Sequence, residues 1–125
     1  MDLALKGAAE AAQLIRDGLI SSKDLFSACI EQIERMEYKI GAWEFIDPEL
    51  ALAQAQRADT ALQLGQPLGS LHGVPVGVKD IFDTKDMPTE DGTVLHRGRQ
   101  PQQDATVVAK LREAGAIIMG KTVTT

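Results

Sequence analysis

The chain has one cysteine, two histidines and few aromatic residues, and each shortage closes off a class of function. Cys29 alone cannot form an intrachain disulfide, which fits a reducing compartment and predicts a cytoplasmic protein. His72 and His96 belong to no ligand-spaced cluster, so neither a metal nor another cofactor is expected. Aromatics make up 4% of 125 residues, so any core must be aliphatic. There is no basic excess: the net charge is −5, which argues against direct nucleic-acid binding and against an anionic membrane surface. The densest basic run, His96-Arg97-Gly98-Arg99, is short and reads as a solvated loop. Long apolar runs are also missing. Asp2, Lys6, Glu10, Arg16 and Asp17 interrupt the N-terminal apolar positions, so neither a membrane span nor a targeting segment is expected there. No fixed-period repeat or low-complexity tract is present.

What is there is one domain's length with 44% hydrophobic residues, enough for a core. The first half is patterned as helices. Leu5, Ala8, Ala12, Ile15 and Leu19 recur at helical spacing, with Gly18 near the end. Ser21 and Asp24 form a capping box for a second helix ending near Glu37 or Tyr38. Its apolar stripe is Leu25, Phe26, Cys29, Ile30, Ile33 and Met36, which makes Cys29 a buried structural thiol. Ala42 to Ile46 reads as a short strand. Asp47-Pro48 then opens a helix with Ala51, Ala55, Ala58 and Leu62 on its inner face and Gly65 closing it.

The second half alternates strand and helix. Val74 to Lys79 reads as a strand and Asp83 to Arg99 as a long irregular stretch. Asp104 is the expected cap of a helix with Val107, Val108 and Leu111 inward, and Ala116 to Met119 is a buried strand. The predicted fold is α/β: N-terminal helices (1–40) packed on part of a mixed, partly parallel sheet carried by 41–125. Three short strands make an incomplete sheet.

The residue that invites chemistry is Lys79. Val74, Val76 and Val78 share one face of its strand, and Pro75, Gly77 and Lys79 the other. Gly77 is small enough for another segment to approach closely. A lysine desolvated there would favour the neutral amine, a usable general base. A strand ending in a solvated Lys79-Asp80 pair has the same sequence. Strand alternation sends Asp80 away from Lys79, so Asp80 is expected to be structural, paired with backbone N–H groups or a cation.

Gly73-Val74-Pro75-Val76-Gly77-Val78-Lys79-Asp80 resembles the lysine motif of the amidase signature family. Pro88-Thr89 and Gly92-Thr93 are similar to its Thr/Gly loop, although Glu90-Asp91 stand where the family carries small uncharged residues. Asp104 to Val108, Leu111, Ala114 to Ile117 and Gly120-Lys121-Thr122 are similar to its next helix and strand. The resemblance is sharp over 67–125 and loose before that. It implies an amidase that cleaves a small-molecule carboxylic amide to acid plus ammonia or amine. The implied machinery is a Ser–cis-Ser–Lys triad with Lys79 as base, and Thr89, Gly92 and Thr93 beside the substrate. Both implied serines belong to a Gly/Ser-rich stretch beyond Thr122. The serines here, Ser21, Ser22, Ser27 and Ser70, lie in no glycine-rich elbow. The chain is therefore expected to be an N-terminal segment of an amidase, inactive alone.

Gly115-Ala116-Ile117-Ile118-Met119-Gly120-Lys121-Thr122 matches a phosphate-loop pattern, but its spacer is a bulky apolar strand and a poor phosphate cradle. A non-enzymatic structural or interaction module, with sheet edges open to a partner, is the alternative. Contact with a second copy or with another protein of a complex stays open, and so does ammonia release from glutamine in a tRNA amidotransferase complex.

Overall fold

The computed structural model describes residues 2–124. Helix α1 (Ala8–Arg16) follows a short 3-10 turn at Leu3–Leu5. The Leu5-to-Leu19 periodicity overstates this helix: Gly7 and a left-handed Gly18 bound it, and Leu5 and Leu19 are exposed. Helix α2 (Ser22–Ile40) starts where the Ser21 hydroxyl accepts from the Asp24 N–H at 2.9 Å. It runs two residues past Tyr38, to a left-handed Gly41. Asp59 also caps it, accepting from the Ser22 and Lys23 N–H groups at 2.7 and 3.1 Å. A carboxylate there complements the positive end of the helix.

Strand β1 (Trp43–Ile46) leads into α3 (Pro48–Gln63), capped by Asp47, whose side chain accepts from the Leu50 N–H at 3.0 Å. Strand β2 (Pro75–Lys79) is followed by the irregular 80–105 stretch, then α4 (Thr106–Glu113) and β3 (Ile117–Thr122). Asp104 does not cap α4: Ala105 takes that position with no side-chain bond. The Asp104 carboxylate is drawn instead to the Lys85 N–H at 2.9 Å and to Arg112 at 3.0 Å, the latter an ion pair whose Nε lacks hydrogen-bond alignment. Val107 points outward while Val108 is fully buried.

The sheet order is β1-β3-β2, with β2 parallel and β1 antiparallel to β3. It is a mixed, partly parallel α/β arrangement, and helices cover both faces. On one face Phe26, Ala51, Ala55 and Ala58 pack against Ile117 and Met119. Alanines at every third or fourth position let α3 lie close to its neighbours. On the other face Val78, Ile118, Met87 and Val108 form a second cluster, with Phe45 and Leu111 against it.

The register slips where Val76 faces Ile118 but Gly77 faces Gly120, leaving Met119 as an extra residue in β3. Strict alternation would place Lys121 with Ile117 and Met119. The bulge turns it to the Ile118 side, where Val78 and Phe45 are its sheet partners.

Candidate active site

Lys79 is the last residue of β2 and is exposed. Its strand neighbour on the same face, Gly77, lies under the Trp43 indole, and a Cβ at Gly77 would come within 2.6 Å of the ring. The close approach expected beside Lys79 is therefore made by β1. The expected desolvation of Lys79 is not supplied by these residues. The physical reason is its place: it ends an outer strand and faces away from the second core cluster.

Asp80, the next residue, turns inward and is buried. Its Oδ1 lies 3.2 Å from the Lys121 Nζ, and its Oδ2 accepts from the Glu90 N–H at 3.3 Å. Its backbone N–H donates to the Thr122 carbonyl at 2.9 Å, and its own carbonyl accepts from the Asp91 N–H at 3.0 Å. Every polar group of this residue is thus tied to β3 or to the Thr/Gly loop.

Lys121 is the side chain that sequence reasoning missed as a site residue. It is fully buried and the bulkiest of the completely enclosed side chains among the described residues. Its ammonium donates to the Thr89 hydroxyl at 2.7 Å, the Thr84 hydroxyl at 3.2 Å and the Pro88 carbonyl at 3.2 Å, besides meeting Asp80. A buried ammonium needs such a set of acceptors, because losing its hydration is costly. One signal was present in the sequence: a lysine two residues beyond the apolar run Ala116 to Met119, past the point where the strand was expected to end. The bulge that turns it inward leaves no mark beyond Gly120.

Thr89 is fully buried with its hydroxyl on Lys121. Its backbone N–H donates to the Arg99 carbonyl at 3.0 Å, which folds the loop back on itself. Gly92 has φ +71°, and a side chain there would collide with Thr124. The Thr93 hydroxyl caps a short 3-10 turn at Val94–His96, accepting from the Leu95 N–H at 3.2 Å. Gly92 and Thr93 line a polar cleft of about 220 Å³ with Glu44, Glu90, Arg97 and Thr124. The candidate residues therefore divide. Asp80 and Thr89 meet at Lys121, Gly92 and Thr93 share the cleft, and Lys79 stands on the opposite strand face from Asp80.

The outer loop is held by charge. Arg99 grips Asp83 through its two terminal guanidinium nitrogens, Nη1 and Nη2, at 2.8 and 3.1 Å. That hydrogen bonding holds the Asp83 carboxyl below its ordinary value, helped by the charges of Arg99 and Lys121. His96 Nδ1 lies 2.8 Å from Asp91 Oδ2. Cys29 is only partly buried, short of the enclosed thiol the apolar stripe predicts, and that partial burial still pushes its thiol up, which disfavours a nucleophilic thiolate. Among the described residues no group of three or more His, Cys, Asp or Glu side chains could hold a metal ion, and no helix is long and apolar enough to cross a membrane.

Comparison with known proteins sharpens this geometry. The family model for amidases matches residues 24–125. A putative amidase, AmiD, of Mycobacterium tuberculosis is 46% identical over 112 residues, covering 90% of this chain and 24% of that protein. A glutamyl-tRNA(Gln) amidotransferase component of Salinispora arenicola, its A-type polypeptide, is 39% identical over 121 residues, covering 97% of this chain and 25% of that protein. The native peptide amidase from Stenotrophomonas maltophilia superposes with a TM-score of 0.87 at 30% identity, over 95% of this chain and 25% of that one. The chain spans about a quarter of the length of the curated relatives it matches.

Proposed function

The chain belongs to the amidase family, and from that premise we propose that the whole protein hydrolyses a carboxylic amide to an acid plus ammonia or an amine. In this reading the 125 residues are the N-terminal segment of one amidase domain, and Lys79 is the general base. A serine hydroxyl is a weak nucleophile until a base takes its proton. Lys79 takes it through a bridging serine, both serines being contributed by sequence beyond these residues. The seryl oxygen attacks the carbonyl carbon, the proton passes to the leaving nitrogen, and the C–N bond breaks. Water then cleaves the acyl-enzyme. The observation that carries this reading is the placement of Lys79 at the end of β2, within a family match that runs on through Thr125, with the neighbouring carboxylate turned to the opposite face. The drying that a neutral amine needs would come from the rest of the protein. Gly92 and Thr93, on their polar cleft, border the substrate path, and Thr89 supports them from within.

A small carboxylic amide is the substrate class, and the names of the relatives motivate two branches: peptide or simple amides, and glutamine serving a tRNA-modifying complex with partner subunits. A cytoplasmic location is part of the same reading, and the lone Cys29 of this segment fits a reducing compartment. The test is Lys79→Ala in the whole protein, assayed against simple amides, peptide amides and glutamine. Turnover should fall by about 10³-fold or more, since base and nucleophile act as a unit. Near wild-type turnover would show that the base is elsewhere.

One observation favours a second reading. β1 and β2 are the outer strands of a three-stranded sheet, each paired on one side only among the described residues. A catalytically inert segment could pair those edges with a partner. Amide turnover by the isolated 125-residue chain would contradict the requirement for serines outside it. An inert chain beside an active whole protein would support that requirement.

A further inference from the structure

We infer that Lys121 is a positioning residue for the Lys79 base: its buried ammonium holds the Asp80 carboxylate away from the Lys79 amine and pins the strand end from which Lys79 projects. This rests on the proposed amidase chemistry and adds a residue to it. Lys121 does not reach the reacting atoms. Its four acceptors, Asp80 Oδ1, Thr84 Oγ1, Thr89 Oγ1 and the Pro88 carbonyl at 2.7–3.2 Å, already exceed its three protons.

Two features make the arrangement more than a packed ion pair. Asp80 directly follows Lys79, and a carboxylate beside an amine favours the charged, non-basic form. Lys121 and the Glu90 N–H draw both Asp80 oxygens to the interior face. The same contacts also fix the backbone. Lys79 pairs with Thr122 and Val78 with Lys121, and the Asp80 N–H continues the ladder to the Thr122 carbonyl at 2.9 Å. The Met119 bulge is the local cause, since without it Lys121 would share the face of Ile117 and Met119 and never meet Asp80.

Lys121→Met leaves the Asp80 carboxylate without a counter-charge. It must then take up a proton, admit water or swing outward toward Lys79. In the whole protein, folded Lys121→Met should lose about 100-fold in kcat, as small displacements of a catalytic group do, with KM within about threefold of wild type. Replacing both partners, Lys121→Met with Asp80→Asn, removes the stranded charge and should recover about tenfold of that loss. A purely structural pair would instead lower kcat only in proportion to the folded, titratable active sites, and the double variant would bring no recovery per site.

Thr89→Val removes the shortest acceptor at nearly constant volume and carries the test if Lys121→Met does not fold. Its kcat should fall several-fold with KM unchanged. A folded Lys121→Met, or in its absence Thr89→Val, with kcat per site within about twofold of wild type overturns the positioning role. Lys79→Ala run in parallel separates the two claims. If it keeps turnover, the base assignment fails and the positioning role falls with it. If it abolishes turnover while the Lys121 and Thr89 variants keep theirs, only the positioning role fails.

Discussion

The two faces of the sheet are built on different principles. The face under α2 and α3 is apolar: Phe26, three alanines, Ile117 and Met119 meet with no buried charge among them. The face under α4 and the 80–105 stretch sets Val78, Met87, Val108 and Ile118 beside a buried lysine, a buried aspartate and two buried threonines. The first face can lose volume and remain itself. The second is a network whose members depend on one another, so removing one leaves the others unsatisfied. The difference teaches where chemistry can be anchored: the polar face fixes the direction of the strand end that carries Lys79, and the apolar face supplies support.

Breaking each face separately tests this. The largest stability loss is expected for Lys121→Met, about 3–5 kcal/mol, because one half of a buried pair is removed. Denaturant titration should find the Asp80→Asn/Lys121→Met double variant closer to wild type than the single variant. A double variant as unstable as the sum of both singles would dissolve the network. Phe26→Ala on the apolar face should cost about 3–4 kcal/mol with kcat per folded site unchanged. If it lowered kcat per site as Lys121→Met does, the faces would not be functionally distinct.

Smaller effects sharpen the contrast. Ser21→Ala, which removes the α2 cap, should cost about 1 kcal/mol and leave kinetics alone. Asp83→Asn should cost least, because the Asp83–Arg99 pair is well exposed to solvent. Its sign is set by the lowered carboxyl. The stabilisation is present above the ordinary aspartate value of 3.8 and is lost as pH falls from there through the lowered folded value. The wild-type advantage over Asp83→Asn, followed by thermal melts from neutral pH downward, should shrink over that window and also shrink in high salt. An advantage that grew on acidification would contradict the assignment.

The apolar face was the legible one. The Ser21 cap, the Asp47-Pro48 start of α3 and the Ala51-Ala55-Ala58 stripe are local signals, each written within a few residues and each present in the fold. The polar face was read poorly. Asp104 carries the signature of a cap but is pulled away by Lys85 and by Arg112, contacts that local pattern does not encode. Val107 faces solvent where the periodicity placed it inside. Lys121 and Thr84 were overlooked because their meeting spans 37 residues and depends on one extra residue in β3. Lys79 was reached through an extended motif, and its exposure could not be: which segment covers the end of an outer strand is decided by tertiary neighbours.

The strand order also sets a sequence of events in time. β3 is the last of the three strands to leave the ribosome, yet it lies between β1 and β2. Helices α2 and α3 can pair early, while both outer strands wait without a neighbour until residue 122 has been made. Contacts so distant along the chain close slowly. The nascent protein therefore passes through an interval with two bare strand edges, when a chaperone or a second nascent copy would find most to hold.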